Sequence, residues 1–154
     1  EGMLRRSSHS VWECVYHVVW ATKRRRRALR GARERAYCAR LLRRVAEVYD
    51  MHVEALEVAV DHVHICVAIP PQQSGGSAVR KMKSMRARHM FKRFPNLRRT
   101  MWTAELWSPS YFVRTVGDRV TADVVRRYTE SHADEAALGV QAELFPSGKA
   151  RRRT

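Results

Sequence analysis

The fold is predicted most directly from nine residues, 61–69, which read Asp61-His62-Val63-His64-Ile65-Cys66-Val67-Ala68-Ile69. In a β-strand, successive side chains point to opposite faces of the sheet. His62 and His64 therefore share one face, and four aliphatic residues share the other, Val63, Ile65, Val67 and Ile69. The aliphatic face is expected to pack on helices, which leaves the two imidazoles side by side on the opposite face.

The hydrophobic periodicity of the flanking sequence predicts six further elements. These are a strand at Ser10–Ala21, a helix at Gly31–Tyr49, a strand at Met51–Val60, a helix from an N-cap at Ser77 to Phe94, a strand at Tyr111–Thr115 and a last helix from Thr121 to about His132. The strand Met51–Val60 and the following strand His62–Ile69 are joined by a tight turn at Asp61, which indicates a hairpin. Within the first helix, one apolar stripe is expected, formed by Ala36, Tyr37, Leu41, Val45 and Val48.

The order β-α-β-β-α-β-α predicts an α+β fold of the ferredoxin-like, split βαβ type. Such a fold has a four-stranded antiparallel sheet with two helices on one face, and a C-terminal helix is available for the other face. The length of 154 residues suits one domain. We expect that domain to cover residues 1–133 and the tail at 134–154 to be partly disordered.

The charge of the chain restricts its partners. The net charge is +15, and arginine far outnumbers lysine. Such an excess favours a polyanionic partner, since each neutralised phosphate releases counterions, although a solvated basic surface without a specific partner is also consistent with it. No stretch approaches the roughly 18 apolar residues that span a bilayer, so no membrane partner is expected. Three scattered cysteines without a C-x-x-C spacing indicate a reducing cytoplasm.

Two groups of residues suggest chemistry. Imidazoles from His62 and His64 can bind one metal ion, although a lone H-x-H is equally consistent with surface histidines. On the last helix, Tyr128 and His132 occupy one face, four residues apart, and offer a phenol and a third metal ligand. The alternative is a packing tyrosine and a helix-end cation. Taken together, these groups predict attack of a tyrosine oxygen on a DNA phosphodiester, with a metal ion polarising the phosphate.

Several ordered motifs resemble a known family, the HUH single-tyrosine transposases of the two-hundred-like insertion-sequence family (transposase A). The resemblance covers roughly Val11 to His132. The segments that carry it are Tyr16–Lys23, Val60–His64 followed by Pro70-Pro71, Val79–Ser84, Leu106–Gly117 and Tyr128, which aligns with the nucleophile. One departure is that the family has a glutamine one turn after the tyrosine, where this chain has His132. An all-imidazole site would shift the metal preference from Mg²⁺ toward Mn²⁺.

The resemblance implies a specific activity. The enzyme would cut and rejoin hairpin-bearing single-stranded DNA through a 5′-phosphotyrosine, in the cytoplasm of a prokaryotic cell and associated with its nucleoid. It would be a homodimer with active sites formed in trans. The first strand also carries large apolar side chains, including Trp12, Tyr16 and Trp20, which are more than a small monomer needs to bury and therefore favour a dimer. Candidates for the phosphate track are Arg24, Arg25, Arg26, Arg27, Arg80, Lys81, Lys83, Arg86 and Arg88.

Two alternative functions stay open at this point. A domesticated relative that processes repeated extragenic palindromes would use the same chemistry. A non-catalytic nucleic-acid-binding ferredoxin-like module would need neither Tyr128 nor a metal ion.

Overall fold

A computed structural model describes residues 4–6 and 11–116, except for the side chains of Met85 and Arg86. In chain order, the elements are β1 (Arg5–Arg6), β2 (Val11–Trp12), β3 (Val15–Ala21), a 3₁₀ turn (Lys23–Arg25), α1 (Ala32–Val48), β4 (His52–Val58), β5 (His62–Ala68), α2 (Gly75–Arg93), α3 (Pro95–Met101) and β6 (Phe112–Val116). The predicted last helix and C-terminal tail lie outside the described residues, and so do Tyr128 and His132.

The main sheet has the order β4-β5-β3-β6, and every neighbouring pair is antiparallel. The chain enters in a central strand, crosses by α1 to an edge, returns through the β4–β5 hairpin and crosses by α2 to the other edge. The ferredoxin-like, split βαβ prediction is thereby confirmed. The short strands β1 and β2 form a separate ribbon.

The two faces of the sheet have different surroundings. Val18 and Trp20 of β3 and the odd-numbered residues of β5 are buried in one cluster with side chains of α1, α2 and α3. Alternation and the strand register place His17, Val19, His62, His64 and Phe112 together on the opposite face. The same alternation that builds the core therefore brings the histidines together.

The predictions for the first strand and first helix need correction. The expected strand Ser10–Ala21 is divided, because Glu13 and Cys14 separate β2 from β3. In α1, the buried residues are Cys38, Leu42, Val45 and Ala46, whereas Ala36 and Val48 are exposed. Val45 of the predicted stripe is buried, and Tyr37 and Leu41 pack partly buried against the same core, so the prediction holds at the centre of the stripe and fails at its ends.

The predicted limits of the second helix were partly wrong. Its N-cap is Ser74, whose hydroxyl accepts a hydrogen bond from the backbone N–H of Ser77 at 3.1 Å. Ser77 therefore lies inside the first turn instead of preceding it. The helix ends at Arg93, close to the expected Phe94, but Pro95 then begins α3, which the sequence analysis missed. Proline suits the first turn of a helix because its missing N–H has no partner there.

One argument for a dimer does not hold. Trp20 is fully buried within a single chain, so it does not demand a second subunit. Tyr16 packs against the same core, and Trp12 is half-buried in β2. Among the described residues, no helix is long and apolar enough to cross a membrane.

Candidate active site

The candidate site is centred on the histidine pair at the start of β5. The rings of His62 and His64 have centroids 4.8 Å apart and an interplanar angle of 75°. His62 is 7% exposed and His64 is half-buried. Their side-by-side placement on one face was predicted from strand alternation and is confirmed.

The Nδ1 atom of His62 is engaged by its neighbour. It lies 2.6 Å from the carboxylate oxygen Oδ1 of Asp61, and Nη2 of Arg25 lies 3.5 Å from the other oxygen. The hydrogen bond from His62, with the nearby Arg25 cation, lowers the pKa of Asp61. An ionised carboxylate can only accept hydrogen bonds, so Nδ1 of His62 donates to Oδ1, and Nε2 is the ring nitrogen left for another partner.

His17 is a member of the site that sequence reasoning missed. Its Nε2 lies 3.3 Å from Nδ1 of His64, and the two rings stack with centroids 5.6 Å apart. His17 pairs with Cys66 across β3 and β5, so it reaches His64 diagonally. The missed signal was a histidine at an alternating position of the adjacent strand, but the register that joins the two cannot be read from the sequence.

Burial favours the neutral forms of His64 and His17. It lowers the pKa of His64 to about 3, with a further contribution from the neighbouring His62 and His17. Burial, assisted by the nearby Arg114 cation, also lowers the pKa of His17. A neutral imidazole is the form that binds a metal ion. Across the described ranges, no group of three or more histidine, cysteine or acidic residues can hold a metal ion.

The predicted arginine cluster after the first strand lies beside this site. The 3₁₀ turn is attached to Asp61 by Thr22, whose backbone N–H donates to the Asp61 carbonyl at 2.8 Å. Arg24 and Arg25 both have positive φ angles, 56° and 51°. Arg25 turns inward to Asp61, whereas Arg24 and Arg27 are exposed.

The predicted basic residues of α2 lie in the helix layer, away from the histidine face. Lys81 donates to Oε1 of Gln73 at 2.8 Å, and Lys83 donates to the carbonyls of Ser108, Pro109 and Ser110. Burial lowers the pKa of Lys83 to about 8. Through these hydrogen bonds, Lys83 stabilises the loop at residues 108–110. Arg80 and Arg88 are exposed.

An open groove of about 690 Å³ lies along α2 and α3. Arg88 contributes to it, and the other lining residues are Ser84, Ala87, Phe91, Lys92, Pro95, Arg98 and Ala104. The structure therefore divides the predicted phosphate contacts into two surfaces, one beside Asp61 and one on the helix layer.

Comparison with known proteins connects this geometry to one family. Residues 10–132 match the family model described as "Transposase IS200 like". The chain is 35% identical over 126 residues to the ISDra2 transposase TnpA of Deinococcus radiodurans, covering 81% of this chain and 88% of that protein. It is 29% identical over 137 residues to the transposase for insertion sequence element IS200 of Salmonella typhimurium, covering 89% and 88%.

Solved structures agree with this match. A Deinococcus radiodurans R1 protein described as a transposase superimposes with a TM-score of 0.67 at 33% identity, covering 82% of this chain and 96% of that one. A REP-associated tyrosine transposase bound to a REP hairpin gives a TM-score of 0.50 at 13% identity, covering 96% and 92%. At that identity, the second likeness shows the fold alone.

Proposed function

The chain belongs to the family of IS200-like transposases, and on that premise we propose that it cuts and rejoins hairpin-bearing single-stranded DNA through Tyr128. His62 and His64 would hold a divalent metal ion, Mg²⁺ or Mn²⁺, with His132 as a third ligand. Family membership itself makes the chain a DNA-cleaving and strand-transferring enzyme. The nucleophile, the metal ion and the form of the DNA are the parts that we propose.

The observation that carries the proposal is the orientation of the two imidazoles. The Nδ1 atoms of His62 and His64 are engaged by Asp61 and His17 at 2.6 and 3.3 Å. These contacts use the Nδ1 side of each ring, so the Nε2 atoms of His62 and His64 are the ones left to hold a metal ion. Histidines that bind metal ions commonly donate their other N–H to such partners, which fixes the tautomer and the ring. Two surface histidines without a function would need no such support.

The residues present fit a divalent ion. The two imidazoles are adjacent, and burial favours the neutral form of His64. Mn²⁺ accepts imidazole nitrogens more readily than Mg²⁺ does. When bound, such an ion polarises the scissile phosphate and offsets the negative charge that develops on its oxygens. Asp61 and His17 would hold the ligands, and Arg25 would keep the Asp61 carboxylate ionised.

Tyr128 would carry out the covalent step. Its phenolic oxygen forms a bond to phosphorus, and the bond from phosphorus to the 3′-oxygen of the preceding nucleotide breaks. The phenolic proton is lost and the departing oxygen gains one, which leaves a 3′-hydroxyl and a 5′-phosphotyrosine. Attack of a second 3′-hydroxyl on this phosphotyrosine reverses the chemistry and joins a new strand, so no nucleotide cofactor is consumed.

The proposed DNA partner is supported by charge and by fold. The net charge of +15 matches a polyanion, and the arginine-rich turn lies beside the histidine pair. A relative that shares the fold was solved with a REP hairpin bound. We extend a hairpin-bearing substrate to this chain on that basis.

We also propose a homodimer in which Tyr128 of one subunit acts at the histidine pair of the other. A symmetric pair would hold both ends of an element at once. The test mixes a Tyr128→Phe chain with a His64→Ala chain, each inactive alone. Cleavage should return in the mixture if sites form in trans, whereas proven heterodimers without cleavage would assign the sites to one chain.

The central test uses an end-labelled single strand that contains a hairpin. Wild type should form a covalent protein–DNA adduct on a denaturing gel, and excess chelator should remove it. Tyr128→Phe should bind the strand normally and form no adduct, whereas the control Tyr111→Phe should keep it. Binding without any adduct in wild type, with and without Mn²⁺, would assign the chain to non-catalytic binders. An adduct that persists in Tyr128→Phe would refute the nucleophile.

A further inference from the structure

An exposed tryptophan stands at the end of α3. Among the described residues, four large apolar side chains are exposed, and Trp102 is the most exposed at 81%. It follows the last residue of α3 and adopts a left-handed backbone with φ of 59°. That conformation is unfavourable for a bulky residue. Burial therefore gives no reason for an indole at this position, which suggests a contact with another molecule.

An arginine already accompanies this indole. The guanidinium carbon of Arg26 lies 5.5 Å from the centroid of the Trp102 ring. Nη1 of Arg26 also lies 3.5 Å from the carbonyl oxygen of Thr100. An indole and a guanidinium placed together offer a flat stacking surface with a positive charge beside it.

The pair is attached to the candidate active site by short contacts. The hydroxyl of Thr22 donates to the carbonyl of Arg26 at 2.6 Å and lies 3.1 Å from the carbonyl of Asp61. Asp61 in turn contacts His62. Lys23 ties the same turn to the segment after Trp102, since its backbone N–H donates to the Leu106 carbonyl at 2.8 Å.

The surroundings favour a nucleic acid over an apolar partner. Arg98 and Arg99 occupy the last turn of α3, directly before Trp102, and both are exposed. The exposed Arg24 and Arg27 flank Arg26 on the other side. An isolated indole among so many cations is poorly suited to a hydrophobic protein interface. It matches the stacking platforms, with a basic track, that bind single-stranded nucleic acid.

We propose that Trp102 and Arg26 form a stacking site for an unpaired nucleobase of the DNA strand that occupies the histidine site. This assignment rests on the proposed function, because it takes its ligand from the single-stranded substrate. The base would stack on one face of the indole, and Arg26 would stay over the other face and supply positive charge near the adjoining phosphate. Every base has a flat π-face, so the site would hold a strand in place without reading its sequence.

The test compares two probes of equal length and charge, a fluorescein-labelled oligothymidylate and the same strand with abasic sites, in chelator so that no cleavage occurs. Wild type should bind the oligothymidylate more tightly. Trp102→Ala should weaken that binding about five- to a hundredfold and leave the abasic strand almost unchanged. Trp102→Phe, which keeps an aromatic face, should recover part of the affinity.

The control is a second arginine–aromatic pair with the same separation. In α1, the guanidinium of Arg40 also lies 5.5 Å from the ring of Tyr37. Arg26→Gln should weaken oligothymidylate binding about two- to fivefold, whereas Arg40→Gln should leave it unchanged. Equal losses in both variants would mean that only net charge matters and would overturn the stacking site.

The remaining outcomes separate this site from the proposed function. If wild type binds oligothymidylate and Trp102→Ala binds it equally well, the stacking site is wrong and the proposed function stands. If wild type binds neither strand but binds a hairpin-bearing strand, the stacking site is wrong and the proposed function stands. If it binds none of the three, both are wrong. A sedimentation coefficient that falls in Trp102→Ala, with DNA affinity unchanged, would assign the indole to contact between copies of the chain and overturn the proposal.

Discussion

The two faces of β5 lie in opposite surroundings, one apolar and one polar. One face carries Val63, Ile65 and Val67, which are at most 1% exposed in the core. The other carries His62 and His64, whose ring nitrogens contact polar partners. Neighbouring residues of one strand thus have different roles, one packing in the core and the next contacting polar partners. The strand backbone fixes their positions relative to each other.

This difference implies that stability and chemistry can be altered separately within a few residues. A truncation on the core face removes apolar contacts and leaves a cavity, at a cost in the free energy of unfolding. A truncation on the histidine face removes a proposed metal ligand whose hydrogen bonds add little net stability. Substitutions at adjacent positions should therefore affect different measurements.

The largest expected effect is on the histidine face. His64→Ala should lower the rate of adduct formation by more than about a hundredfold, because even partners of metal ligands are commonly worth 10- to 100-fold. Its free energy of unfolding should change by less than about 1.5 kcal/mol. Gel assays with Mn²⁺ and urea denaturation measure the two quantities. Full activity of His64→Ala would show that His64 is not needed for cleavage.

The adjacent residue should show the reverse. Ile65 is 1% exposed, and Ile65→Ala should reduce the free energy of unfolding by about 2–5 kcal/mol. At a temperature where the variant is still folded, its rate of adduct formation should stay within a few-fold of wild type. A loss of activity as large as that of His64→Ala, in a folded sample, would mean that the two faces are not separable.

A third change sharpens the comparison within the histidine face. Asp61→Asn removes the carboxylate that accepts from His62, so Mn²⁺ affinity should fall about 10- to 100-fold. The control Glu47→Gln removes an exposed carboxylate of α1 that pairs with Arg44, and it should leave Mn²⁺ affinity unchanged. Calorimetric titration with Mn²⁺ measures both. Equal affinities for Asp61→Asn and wild type would show that the carboxylate does not orient His62.

The smallest effect belongs to the helix layer. Ser74→Ala should cost about 1 kcal/mol of unfolding free energy, because it removes the acceptor for the Ser77 N–H. Ser77→Ala should cost less, since the backbone N–H is what donates. Neither should alter Mn²⁺ affinity. Chemical denaturation compares the two, and a larger loss at Ser77 would return the cap to the position predicted from sequence.

The sequence predicted the elements of the sheet well, because strand alternation is a local property. It gave the shared face of His62 and His64 and the buried face of β5 correctly. It failed on His17, because the register of β3 against β5 depends on long-range pairing. It was right for Tyr37, Leu41 and Val45 of α1 but wrong for Ala36 and Val48, since the limits of a buried helix face are decided by tertiary packing.

The predicted helix boundaries were partly wrong for a different reason. Ser74 and Ser77 are both acceptable caps by composition, and only the hydrogen bond distinguishes them. The helix end predicted at Phe94 is close to the observed one, but no helix was predicted after it, although proline can begin a helix, as Pro95 does in α3. The roles of Tyr128 and His132 stay predictions, because both residues lie outside the described part of the chain.

The left-handed turn at Arg24 and Arg25 has a consequence for protein engineering. Each residue has a positive φ angle, which glycine adopts without strain and which costs arginine roughly 1 kcal/mol. A redesign guided by thermostability alone would therefore choose glycine at position 24. Arg24→Gly should raise the melting temperature while removing an exposed cation next to Arg25, and if Arg24 contacts phosphate as proposed, the more stable variant should bind DNA more weakly. At this turn, a gain in thermal stability is expected to cost DNA affinity, so a redesign must choose which of the two to improve.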